Sequence, residues 1–290
     1  MANIFRKEEK EVGSNFNSPK DSVALKIQEA QTKASMPLIR MIMLALLAGA
    51  YIALGGACSS TAAFGLSNVG LARLVSGCIF PVGLMLIVIC GGELFTGNCL
   101  MAIGLLDKKI RISGLVRNLV VVWIANFIGA ALIAVLIYFS GNLNYSDGAL
   151  GAYTIKVALG KVNIGFGTAF VSGILCNMLV CLAVLSAGAA KDIAGKVLSV
   201  FFPICAFVTA GFEHCVANMY YIPAGLLAML NEDYVAMAQE LYGYTAEQLS
   251  ALNFAGMFSN LIPVTLGNIV GGGIFVGAAY YLAYVREKKA

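Results

Sequence analysis

Charge is confined to a few short stretches of this chain. Positions 41–72, 74–92, 118–146, 162–190, 197–212, 214–231 and 248–285 carry no Asp, Glu, Lys or Arg. The long gaps reach the roughly 20 residues that a helix needs to cross a bilayer core. The pattern predicts six apolar spans at about 37–62, 74–106, 116–140, 162–190, 197–230 and 254–284. The second and fifth, at about 33 residues each, are too long for one straight helix through a core of about 30 Å. Each also carries a glutamate in mid-span, Glu93 or Glu213. Length and charge together predict that both spans are broken near the middle, where non-helical backbone must be covered by protein or line a water-filled cavity.

Residues 1–35 are polar and mixed in charge, without the apolar core of a secretory signal. Ser18, Pro19 and Asp21 make a helix start, and Val23, Ile27, Ala30 and Ala34 then share one face. This predicts a short amphipathic helix lying at the membrane surface, with a solvated arm of no fixed structure as the alternative. The domain reading is an arm over 1–35, one transmembrane domain over 36–285 with halves at about 36–140 and 160–285, and a tail over 286–290.

Composition agrees with a bilayer environment. Of 290 residues 60% are hydrophobic and 12% charged, with a mean hydropathy of +0.85, and no ordinary water-facing surface can be built from that. The fold class expected is an all-α membrane protein. All but three of the 19 basic residues fall in the first 40 positions, the 107–117 turn, the 191–196 turn and the tail. With six spans these four segments share one side, the cytoplasm by the positive-inside rule, so both termini are expected there. Arg73, Lys156 and Lys161 are left on the outer face.

The two over-long spans also match each other. Gly91-Gly92-Glu93-Leu94-Phe95-Thr96-Gly97-Asn98 and Gly211-Phe212-Glu213-His214-Cys215-Val216-Ala217-Asn218 both read Gly-x-Glu-x-x-x-x-Asn. The spans that follow repeat Asn-x-x-Gly, at Asn126 to Gly129 and Asn268 to Gly271. Halves of three spans enter from opposite sides, which predicts an inverted 3+3 repeat with a translocation site near the midplane.

A buried acidic residue costs about 2.5–3.5 kcal/mol at a helix centre on insertion scales. Glu93 and Glu213 are therefore read as structural, accepting hydrogen bonds that hold the breaks; a proton-carrying role for one of them is the alternative. His214 is the single histidine, and an ionisable group in a membrane span is a functional candidate by default. Thr96 offers a neutral hydroxyl at the matching break. Asn126 and Asn268 read as helix-bonding amides, whereas Asn177 could line a pathway. No metal set, cofactor motif, nucleophile motif or basic groove is present, so no enzyme activity, metal, cofactor or nucleic acid is expected. The eight cysteines form no C-x-x-C pair and are read as free.

Four segments carry a resemblance: Gly91 to Thr96, Asn177 to Ala183, Gly211 to Met219 and Ile262 to Gly273. In these the chain resembles the formate/nitrite transporter family from about residue 20 onward. The resemblance implies an aquaporin-like inverted repeat and a homopentamer in the cell membrane with one anion pathway in each protomer. It implies that His214 is the central pathway histidine, with Thr96 its partner and Asn177 and Asn218 beside it. It implies an outer apolar constriction of Leu94, Phe95 and Val180, an inner one of Phe80, Leu84 and Phe207, and Lys161 as the vestibule lysine, with Lys156 the competing choice. The expected cargo is a small monovalent anion of a weak acid, formate first, then nitrite or hydrosulfide, passed with proton coupling. An aquaporin-type water or glycerol channel is the alternative, but the paired Asn-Pro-Ala signatures are missing from both breaks.

Overall fold

A computed structural model describes residues 16–286. The first fifteen positions of the arm and the tail lysines Lys288 and Lys289 lie outside the described residues. Among the described residues six helices are long and apolar enough to cross a membrane: Leu38–Ala63, Val69–Cys90, Ile112–Phe139, Phe166–Ala189, Ile193–Ala210 and Phe254–Tyr284. Chain order is α1 (Pro19–Ala34), α2 (Leu38–Ala63), α3 (Val69–Ile79), α4 (Val82–Cys90), α5 (Phe95–Asn98), α6 (Met101–Leu106), α7 (Ile112–Phe139), α8 (Ala149–Val162), α9 (Phe166–Ala189), α10 (Ile193–Ala210), α11 (Cys215–Ala228), α12 (Glu232–Tyr242), α13 (Ala246–Ser250), α14 (Phe254–Ile269) and α15 (Ala279–Tyr284). Wide π turns over Val270–Ala278 join the last two.

Polar caps move several boundaries away from the hydropathy limits. Asn68 accepts the Leu71 N–H and starts α3 before Arg73, and Asp192 accepts the Gly195 N–H and starts α10 before Lys196. A charged residue in the first turns therefore does not end the helix. The fourth span begins at Phe166 because the residues before it form a separate connecting helix, α8.

Helix stops fall at the two glutamates. α4 ends at Gly91 with φ +92° and α10 ends at Gly211 with φ +76°, left-handed backbone that glycine adopts without a Cβ penalty. Leu94 and His214 are then extended, and helix resumes at Phe95 and Cys215.

The long helices pack in two tight pairs. A Cβ at Gly49 of α2 would lie 2.1 Å from the Asn126 carbonyl oxygen of α7, and one at Gly267 of α14 would lie 2.1 Å from that of Phe170 in α9. Small residues let these backbones meet, which is how apolar helices gain contact where lipid offers no hydrophobic drive. Leu132, Leu136, Phe202 and Phe254 point outward and stay exposed.

Helix α1 corrects one expectation. Val23 and Ala30 are buried, and Ala30 packs on Gly104 of α6, so the apolar face is covered by the protein rather than laid on lipid. The cause is local: α6 and the ends of α7 and α9 present their own apolar residues at that end of the bundle, and α1 covers them.

Candidate functional site

Each helix stop is held by the same set of side chains. Asn126 accepts the Phe95 N–H at 2.9 Å and donates to the carbonyls of Ala45 at 2.7 Å and Glu93 at 3.0 Å. Asn268 accepts the Cys215 N–H at 2.9 Å and donates to the carbonyls of Gly173 at 2.8 Å and Glu213 at 3.0 Å. A carboxamide offers one acceptor and two donors on a single short stem, which suits backbone groups freed by a helix stop.

Both glutamates are buried and each is met by a lysine and two amides. Glu93 accepts from Lys33 at 2.8 Å, from Asn98 at 2.7 Å and, at the limit of 3.5 Å, from Asn118. Glu213 accepts from Lys161, from Asn218 at 2.7 Å and from Asn260 at 3.4 Å. A buried carboxylate persists when opposite charge and hydrogen bonds replace water. Lys33, Asn118 and Asn260 are members that the sequence reading missed. Asn118 and Asn260 each stand about two helical turns before the amide that holds the stop, and that equal spacing was a usable signal. Lys33 gave none, because it comes from α1, far away in the sequence.

His214 caps α11. Its Nδ1 accepts the Ala217 N–H at 3.0 Å, and its Nε2 lies 3.0 Å from Thr96 Oγ1. With Nδ1 engaged as an acceptor, the neutral ring carries its proton on Nε2 and donates it to Thr96. The Phe207 ring stacks on His214 at 5.8 Å, and Phe80 meets Phe207 edge-on at 5.7 Å.

Two cavities approach this pair. One of about 740 Å³ is lined by Phe80, Phe207, His214 and Asn218, together with Arg73, Lys156 and Lys161. Another of about 230 Å³ is lined by Leu84, Leu94 and Asn98, together with Lys26, Lys33 and Lys196. Phe95 and Val180 are buried and line neither.

The apolar residues group along the two cavities differently from the expected sets. Phe80 and Phe207 face the side of Arg73, Lys156 and Lys161, read as outer, while Leu94 faces the side of Lys26, Lys33 and Lys196, read as cytoplasmic. Leu84, expected with the two phenylalanines, lines the smaller cavity with Leu94. Chain direction is the reason. The second span runs from α3 through α4 to α6, so Phe80 comes first and Leu94 follows it by the length of α4, about 14 Å for nine residues.

The two amides expected beside His214 make their side-chain bonds to other groups. Asn177 donates to the Thr96 carbonyl at 3.1 Å and to the Asn268 carbonyl at 2.6 Å, bracing the backbone behind Thr96. Asn218 spends its amide protons on Glu213 and Asn260, although it does line the larger cavity. Neither bonds to the imidazole. Lys161, expected to stand in the vestibule, reaches Glu213 as an ion pair. Among the described residues no cluster of three metal-binding side chains occurs, and all eight cysteines are free thiols.

Known proteins share this architecture. The family model described as "Formate/nitrite transporter" matches residues 20–282. A probable formate transporter of Methanothermobacter thermautotrophicus is 43% identical over 95% of this chain and 100% of its own length. The formate channel FocA of Escherichia coli (strain K12) is 35% identical over 88% of this chain and 90% of its own. A solved pentameric formate channel with formate bound superposes with a TM-score of 0.75 at 35% identity, covering 86% of this chain and 98% of the other. An FNT family ion channel gives 0.76 at 29% identity, covering 91% and 98%. Near-complete coverage in both directions, on six membrane-capable helices, places the chain as a multi-pass membrane protein that belongs to the formate/nitrite transporter family.

Proposed function

We propose that this protein passes small monovalent anions of weak acids, formate first, along a pathway inside each protomer that joins the two cavities past His214 and Thr96. The observation that carries the reading is the Thr96 Oγ1 to His214 Nε2 contact of 3.0 Å, buried between apolar side chains at the end of the larger cavity. An unpaired anion moved into such surroundings loses hydration worth tens of kcal/mol by Born arithmetic, so it must meet donors there or cross as the neutral acid. His214 Nε2–H donates to Thr96, which leaves the Thr96 hydroxyl proton for an anion carboxylate. When the contact opens, Nε2–H itself serves as hydrogen-bond donor to the anion and keeps its proton. Proton coupling follows where the anion takes a proton from water in the cavity and crosses as the neutral acid. The start of α11, with His214 as its cap, adds positive potential where the anion arrives.

Phe80 and Phe207 form the outer apolar constriction, and Leu94, Phe95, Val180 and Leu84 form the inner one. Glu93 and Glu213 hold the helix stops and are not anion ligands. The matched pairs Lys33–Glu93 with Asn126 and Lys161–Glu213 with Asn268 support two inverted halves within one channel domain over 36–285, with the 1–35 arm and 286–290 tail in the cytoplasm. The similarity to a pentameric channel supports a homopentamer in the cell membrane with no catalytic activity. Nitrite and hydrosulfide make the same demands on one histidine and two apolar rings.

The test is His214→Phe in proteoliposomes, measured with labelled formate, nitrite and hydrosulfide in turn. Anion flux is expected to fall at least tenfold while the assembly keeps its size on gel filtration. Unchanged formate flux overturns the role of His214, and osmotic swelling by water or glycerol without anion flux moves the protein to the alternative class.

A further inference from the structure

Two cysteines precede the aromatic pair at the same offset. Cys78 of α3 stands two residues before Phe80, and Cys205 of α10 stands two residues before Phe207. Their thiols share a hydrogen bond. The helices cross closely here, since a Cβ at Gly77 would lie 2.9 Å from the Cys205 carbonyl oxygen and 3.3 Å from its Sγ. Close backbone approach is what a disulfide needs, because its Cα atoms stand about 4.4–6.8 Å apart. Cys78 is exposed and Cys205 half-buried at this seam, and neither lines the two cavities described above. Both helices are also interrupted beside their cysteine. α3 gives way at Phe80 and Pro81 to α4. Pro203 sits inside α10, where its missing N–H frees the Ser199 carbonyl, and Ser186 bonds that carbonyl at 3.2 Å. Helices bend at such points, so each ring is carried by a segment with a proline joint at its inner end.

We propose that Cys78 and Cys205 are a redox latch: oxidation joins their sulfurs in a disulfide that ties the two proline-jointed segments together, holds Phe80 against Phe207 and closes the pathway. As the S–S bond forms, the two thiols give up two protons and two electrons. A lipid-soluble two-electron acceptor, such as a fully substituted quinone, takes them and becomes the hydroquinone. The oxidant has to be uncharged because both thiols sit within membrane-crossing helices. The side that carries Arg73 is read as outer, and that is the side on which disulfides persist. Ring geometry sets the direction of the effect. Phe80 and Phe207 meet edge-on with centroids 5.7 Å apart, so an anion passes only when the rings part. A covalent bridge two residues away holds the segments, and with them the rings, at that spacing. The closure rests on the anion-pathway reading, whereas the bridge itself does not.

The experiment uses the full-length protein in liposomes, with diamide as the membrane-permeant two-electron oxidant and dithiothreitol as the reductant. Mass spectrometry of a non-reducing digest is expected to find, after diamide, one peptide that links Cys78 to Cys205 within a single chain and that dithiothreitol separates. Formate flux should fall about tenfold on oxidation and recover on reduction. Cys78→Ala and Cys205→Ala should each carry formate at the wild-type rate under reducing conditions and ignore diamide. Absence of the linked peptide, or its replacement by a link between chains, overturns the latch. Undiminished flux through the bridged protein overturns it too, as does diamide inhibition that survives in both alanine variants. A bridged peptide in a protein that carries no anion in either redox state upholds the disulfide and overturns the pathway reading, and with it the closure.

Discussion

Asn126→Ala tests whether an amide holds the first helix stop. The change removes three bonds at once, those to the Phe95 N–H at 2.9 Å, the Ala45 carbonyl at 2.7 Å and the Glu93 carbonyl at 3.0 Å. Side-chain bonds in membrane helices average about 0.6 kcal/mol, because the released partner usually finds another. Here it does not: Phe95 begins a new helix and has no preceding turn to bond to, and the site is fully buried. Each bond then approaches the net value of about 1 kcal/mol, giving a loss of about 3 kcal/mol. Unfolding in mixed micelles against a denaturing detergent measures it, and Asn268→Ala should match within about 1 kcal/mol because its three bonds are the same in kind. Asn126→Leu separates bonding from volume. Leucine fills the space but restores no bond, so it should be no more stable than alanine. A loss below about 1 kcal/mol for Asn126→Ala, or recovery in Asn126→Leu, refutes the reasoning.

Breaking the Lys161–Glu213 pair with Lys161→Met should cost about 3–5 kcal/mol, since a buried carboxylate is left uncompensated, and adding Glu213→Gln should recover part of it in the same assay. Gly49→Ala should lower thermal stability sharply, because its Cβ would sit 2.1 Å from a carbonyl oxygen, whereas Gly65→Ala, with nothing within 4 Å, should leave the melting temperature within about a degree. Equal effects at the two glycines would show that α2 and α7 do not meet as closely as described.

Much of this was legible in residue order. Glu93 lies between α4 and α5 and Glu213 between α10 and α11, and Asn126 and Asn268 bond the backbone there. The partners of the glutamates were not legible. Lys33 belongs to an arm helix whose apolar stripe read as a lipid-facing surface, and only the packing of α1 against α6 brings its ammonium to Glu93. Polarity inside an apolar span marks either a pathway or a brace, and residue order did not show that the Asn177 amide protons go to the Thr96 and Asn268 carbonyls.

Residue order alone set the number of membrane-capable helices among the described residues, because transfer from water to lipid is a property of each segment and is counted along the chain. Which lysine neutralises which glutamate and which cavity each aromatic residue faces were decided only by the tertiary structure. These depend on distances of a few ångströms between helices remote in sequence, and a buried charge or amide takes whichever partner the packing brings within reach.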